Sequence, residues 1–269
     1  MILQLIEVFI ALAAYCGAGY AVWRHLCHKR PHWHARAWAA VALVVHAIAL
    51  IHISLASGNM LILGFGSALS LFAWQSALLL WLFSLRESVG ALGLIMYPIA
   101  GLCAIAAFIL PAGAAATDAL TWQVQLHVLL SMLAYGLLTL GAVQAVMLAL
   151  QHRQLRRVPT GALMASLPPL ETMEGLLFRL ITVGFFLLSL SIVTGALFIN
   201  HLLAQHLAHK TALSIIAWLV FAVLLWGRRR YGWRSLTAVR GALSGYGVLV
   251  LAYFGSKLVL ELLLGEHWT

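Results

Sequence analysis

Twelve histidines stand in a chain with only seven carboxylate side chains and three cysteines. Imidazole is both a metal ligand and a proton carrier near neutral pH, so the position of each ring decides what chemistry is open to it. His46, His52 and His127 lie inside long apolar stretches, His201, His206 and His209 in the turn 200–209 between two such stretches, and His267 after the last one. His25, His28, His32, His34 and His152 sit instead in basic loops, where contact with lipid headgroups is the expected role. An imidazole in hydrocarbon costs free energy unless it has a partner, which makes each intramembrane ring either a functional ligand or one end of a structural hydrogen bond. Both readings stand for His46 and His127; a structural bond is the expectation for His52, His201 and His206.

The ligand that suits such rings follows from what surrounds them. Zinc and non-haem iron sites combine imidazole with carboxylate or thiolate, and few carboxylates and no suitably placed thiol accompany these histidines. Rings among Trp, Phe and Leu fit haem b better, because the macrocycle needs a broad apolar slot and one or two axial nitrogens. Cys16, Cys27 and Cys103 form no C-x-x-C or C-x-x-C-H pattern, so neither a redox pair nor covalent haem attachment to this chain is signalled. Near the C-terminus Tyr253, Lys257 and Glu261 recur at four-residue spacing and share one helical stripe. Lys257 and Glu261 either pair internally to lower the cost of insertion, with Glu7 a further partner for the lysine, or Lys257 supplies a point charge to a haem propionate. No activated Ser or Cys, phosphate loop or paired carboxylates accompany them, so no catalytic constellation is expected.

The elements that must position these groups are membrane helices. The chain is 64% hydrophobic and 9% charged, against roughly a quarter charged in soluble proteins. Eight segments, 2–23, 37–56, 61–83, 91–110, 123–151, 174–200, 210–227 and 236–265, approach or exceed the ~18 mostly apolar residues that a spanning helix needs. The first has no positive side chain before its apolar stretch and is too long for a cleaved signal peptide, so it counts as a helix. The fold class expected is an all-α integral membrane protein, residues 1–269 forming a single bundle of about eight transmembrane helices. Lys and Arg collect in alternate loops, around Arg24 to Arg36, Arg86, Arg153 to Arg157 and Arg228 to Arg240, which places both termini outside. The net charge of +9 is spread over four separate turns, a pattern that suits anionic lipid and not nucleic acid. Gly241 and Gly245 are spaced for close helix packing, Pro98 sits within the fourth segment, and Pro168-Pro169 close whatever precedes the sixth. The linker 151–170, with Leu163, Met164 and Leu167 beside basic residues, is suited to lie on the membrane surface.

In order and spacing, residues 123–265 resemble the cytochrome c assembly membrane proteins of the CcsA and CcmC types. The resemblance is carried by His127-Val128-Leu129-Leu130-Ser131 running to Tyr135, by Leu176-Leu177-Phe178-Arg179 through Gly184-Phe185 to Thr194-Gly195-Ala196, and by Lys210-Thr211. It continues through Trp218 to Ala222, Tyr231-Gly232-Trp233-Arg234 and Ala252-Tyr253-Phe254-Gly255. Where the family's synthase and export members carry a Trp-rich W-W-D signature, this chain has residues 200–209 without Trp or Asp, which counts against delivery of haem to an apocytochrome. The likeness is closer to the short eight-helix branch of YpjD-like or HemX-like proteins.

The resemblance implies a haem-binding inner-membrane protein of cytochrome c assembly or haem handling, working at the outer face. It puts His127 in the place of the family's first outward-facing haem histidine and His267 near the second, with Trp226 where a third family histidine stands. His46 and His209 are then the additional ligand candidates. A proton or small-solute permease, and a non-catalytic partner or regulator of another membrane protein, are the competing classes.

Overall fold

A computed structural model describes residues 2–28, 31–56, 65–85, 90–110, 122–155, 168–198 and 205–255. Eight helices are long and apolar enough to cross a membrane, and no strand occurs among the described residues. They are α1 (Ile2–His28), α2 (Trp33–Ala56), α3 (Phe65–Ser84), α4 (Gly93–Ile109, entered through a 3-10 turn Gly90–Leu92), α5 (Trp122–Leu155), α6 (Leu170–Phe198), α7 (Gln205–Tyr231) and α8 (Ser235–Val250, continued by a π turn Leu251–Gly255). The architecture is that of a multi-pass membrane protein.

The helix ends correct the expected loops. His25 and His28 fall in the last turn of α1, the end where a cationic side chain suits the helix dipole, and His34 falls in the first turn of α2, not in a connector. The described part of α1 ends at His28, three residues before Pro31. His152 and Arg153 fall in the last turn of the 34-residue α5. At the other end of the chain, α7 begins at Gln205, so His206 and His209 belong to a helix and not to the expected turn. Pro168-Pro169 directly precede α6, and the Met173 N–H bonds back to the Pro169 carbonyl at 3.1 Å. The surface linker and the end of the last segment fall on 156–167 and 256–269, outside the described residues.

The helices form two compact units, α1–α4 and α5–α8. In the first, α1 packs on α2 and α4, and α3 on α4. The buried stripe of α1, Val8, Ala11, Tyr15, Ala18 and Val22, has helical spacing and mostly small members. It meets Ala39, Ala42 and Ala49 of α2 and Ala100 and Ala104 of α4, all buried. Large apolar groups such as Phe9, Val44, Ile51 and Leu102 point outward. Lipid tails are as apolar as leucine, so burial in a membrane is decided by how closely backbones approach, not by hydrophobicity. The Trp74 and Trp81 indoles donate to the Leu43 and Arg36 carbonyls at 2.9 and 3.0 Å, and the Arg36 guanidinium donates to the last carbonyl of α3, at Ser84.

In the second unit α5 packs on α6 and α8, and α7 on α8 and α6. Gly241 and Gly245 do what their spacing predicts: a Cβ on either would come within 2.8 Å of Leu224 or 2.9 Å of Phe221 on α7. The turn between α7 and α8 is closed by Gly232 at φ +65°, a left-handed residue at the helix end, and the next N–H, that of Trp233, reaches back to the Gly227 carbonyl at 3.3 Å. Ser235, also at positive φ (51°), is held there by Glu174, whose Oε1 accepts its N–H at 2.7 Å. The same buried carboxylate meets Arg234 at 3.4 Å and Arg228 at 4.0 Å, so one acid anchors the whole turn to the start of α6.

Candidate functional site

His127 stands five residues into α5, half-buried against α6. Its Nδ1 lies 2.9 Å from the Ser191 carbonyl and 3.4 Å from the Thr194 hydroxyl. A carbonyl only accepts, so Nδ1 carries the proton and Nε2 keeps its lone pair. The Ser131 hydroxyl lies 3.5 Å from Nε2, a weak approach, since that hydroxyl donates to the His127 carbonyl and pairs with Ser191 Oγ, both at 2.6 Å. Ligating histidines have this form: one nitrogen fixed by a carbonyl, the other presented as a base. Gly195 provides the clearance, because a Cβ there would lie 2.9 Å from the ring Cε1. On the same turns of α5 Leu126, Val128 and Leu129 are exposed apolar side chains beside the exposed Gln125, and Trp122 and Phe198 pair at 6.0 Å where α5 starts and α6 ends. One axial nitrogen in a broad apolar setting is the donor arrangement that haem requires.

His46 has the opposite arrangement. It is 1% exposed, its Nδ1 is 3.2 Å from the Tyr15 hydroxyl and its Nε2 is 2.8 Å from Ser70 Oγ. Both nitrogens are thus engaged inside the first unit, and the geometry favours a structural bond over an axial role. His52 likewise has a partner, Glu7 at 2.7 Å, while Gln4 donates to its carbonyl at 3.2 Å. Glu7 is therefore the partner of His52. His209 is placed in the first turns of α7, although only its backbone is described. His201, His267, Lys257 and Glu261 lie outside the described residues.

A polar group in the second unit was not anticipated. Tyr135 hydrogen-bonds Ser214 and meets the Tyr253 ring edge-on at 6.2 Å, Lys210 Nζ lies 6.0 Å from that ring, and Thr139 donates to the Tyr246 hydroxyl at 3.0 Å. The Trp218 indole donates to Ser189 Oγ at 2.8 Å and stacks on Phe185. Ser191, Thr194 and Gly195, which orient and clear the His127 ring, carried one visible signal in the sequence, a Thr-Gly pair of the family pattern within an apolar run.

The profile of the family described as cytochrome c assembly protein matches residues 35–264. The chain belongs to the cytochrome c assembly protein family. The match begins in α2 and spans both units. Among this family protein's relatives, the inner membrane protein YpjD of Escherichia coli (strain K12) is 32% identical over 260 residues, 94% of this chain and 97% of that protein. The cytochrome c biogenesis protein CcsA of Microcystis aeruginosa is 33% identical over 108 residues, 38% of this chain and 33% of its own. No solved structure matches.

Proposed function

We propose that this cytochrome c assembly family protein binds haem b at the outer end of α5 and α6, with His127 Nε2 as one axial ligand, and serves cytochrome c assembly or haem handling at the outer face of the membrane. The observation that carries the reading is the Nδ1–H bond from His127 to the Ser191 carbonyl, which fixes the tautomer that a ligand needs. Bound there, haem would supply an iron centre that takes nitrogen ligands. Ser191 orients the ring, Gly195 leaves room beside it, and the exposed apolar side chains and the Trp122–Phe198 pair offer a surface to the macrocycle. His209, at the same end of α7, is the second axial candidate and His267 the alternative; Lys257, and Lys210 beside Tyr253, are the ammonium groups for the propionates.

The test is an absorption spectrum of protein purified after expression with ample haem. The parent should show a sharp Soret band with resolved reduced-state bands. His127→Ala should insert normally but lose or convert that spectrum, and added imidazole should partly restore six-coordination. An unchanged spectrum in folded His127→Ala protein removes the axial assignment. A parent that stays free of haem and co-purifies with a stoichiometric membrane partner removes the haem reading in favour of a regulator.

A further inference from the structure

We infer that the groove between α7 and α8 on the outside of the second unit is the seat of an anionic phospholipid. The groove has a volume of about 300 Å³ and every residue lining it is apolar or glycine. Ile216, Leu219 and Val223 supply its α7 wall, 46%, 50% and 51% exposed; spaced three and four apart, they form one outward stripe. Gly241 supplies the floor, where a side chain would collide with Leu224, and the Trp233 ring, laid over Gly227, closes the end nearest the turn. A groove of this volume cannot seat a second helix, whose diameter is about 10 Å, but it can take an acyl chain.

Charge complementarity at the closed end selects the headgroup. Arg228 and Arg234 are occupied by Glu174 and Glu171. Arg230 and Arg240 are exposed and make no ion pair among the described residues. Arg230 lies seven residues beyond Val223 on the same face of α7, about 10 Å further along the axis. Arg240 immediately precedes Gly241 on α8. Two guanidiniums without an ion pair among the described residues, carried by the two helices that wall the groove and toward its closed end, match a phosphodiester anion, which a guanidinium holds through paired N–H donors. The neighbouring rings Trp226, Tyr231 and Trp233, paired at 5.3 and 6.3 Å, are the residue types that settle at headgroup depth.

Native mass spectrometry of the purified protein, equilibrated with equal amounts of phosphatidylcholine and phosphatidylglycerol, tests this. The parent should retain phosphatidylglycerol preferentially. Arg230→Gln with Arg240→Gln should reduce that preference by about five-fold per arginine, the scale of one cation near an anionic headgroup. Val223→Trp, at an exposed position, should fill the groove and reduce retention of both lipids; Leu219→Trp replaces it if the first variant unfolds at lower temperature. Equal retention of the two lipids by the parent, unchanged retention in either kind of variant, or a second copy of the chain in place of lipid would each overturn the proposal.

Discussion

His46 and His127 are the same residue in two apolar helices, and their hydrogen bonds commit them to different work. His46 spends both nitrogens on Tyr15 and Ser70, whereas His127 spends one and keeps the other. His46→Phe should therefore lower the unfolding midpoint by an amount equivalent to about 1–2 kcal/mol, since side-chain bonds between membrane helices are each worth about 0.6 kcal/mol on average and at most about 1.7. It should leave haem absorbance per folded protein unchanged. A stable His46→Phe protein without the spectrum would return the ring to the ligand set. Sequence alone placed these rings at depth but could not separate their roles, because the deciding partners are 24, 31 and 64 residues away on other helices. Apolar periodicity carries no record of which hydroxyl or carbonyl a ring will meet.

At the level of elements, the eight spans were legible because crossing hydrocarbon demands a length of apolar chain that nothing else in the sequence imitates. Their ends were less so. Basic and histidine side chains continue a helix past its apolar core, which lengthened α1 and α5 and brought His206 and His209 into α7. The anchoring of the α7–α8 turn was invisible, since Glu174 looks like an ordinary acid at a helix start. It is 8% exposed on its side chain and accepts from Ser235 N–H and Arg234. Glu174→Ala should destabilise the second unit by about 1.5–3 kcal/mol, the scale of a hydrogen bond to a charged group. Glu174→Gln, which keeps an acceptor for Ser235 but loses the charge, should cost less. Thermal unfolding followed by tryptophan fluorescence ranks the two; equal losses would mean that the Ser235 bond contributes nothing.

For the molecule as a whole, the arginine distribution sets orientation. A reporter fused after Thr269 should report the outside and one fused near Arg157 the inside, and the reverse pattern would put His127 on the cytoplasmic side. The division into two units was not legible, because in a bilayer small residues inside and large ones outside look alike by hydropathy. One consequence concerns protons. His52 with Glu7, and His46 with Tyr15 and Ser70, are separated along α2 by six residues, about 9 Å of helix. Between them Val8, Ala49 and Ala104 pack together, 3%, 1% and 1% exposed, with Ile105 alongside. A hydrogen bond spans about 3 Å, so no single hop joins the two polar groups past that alkyl layer. Among the described side chains this alkyl layer interrupts any hydrogen-bonded proton path between the two groups, in a membrane where each elementary charge crossing carries about 2.3 kcal/mol per 100 mV.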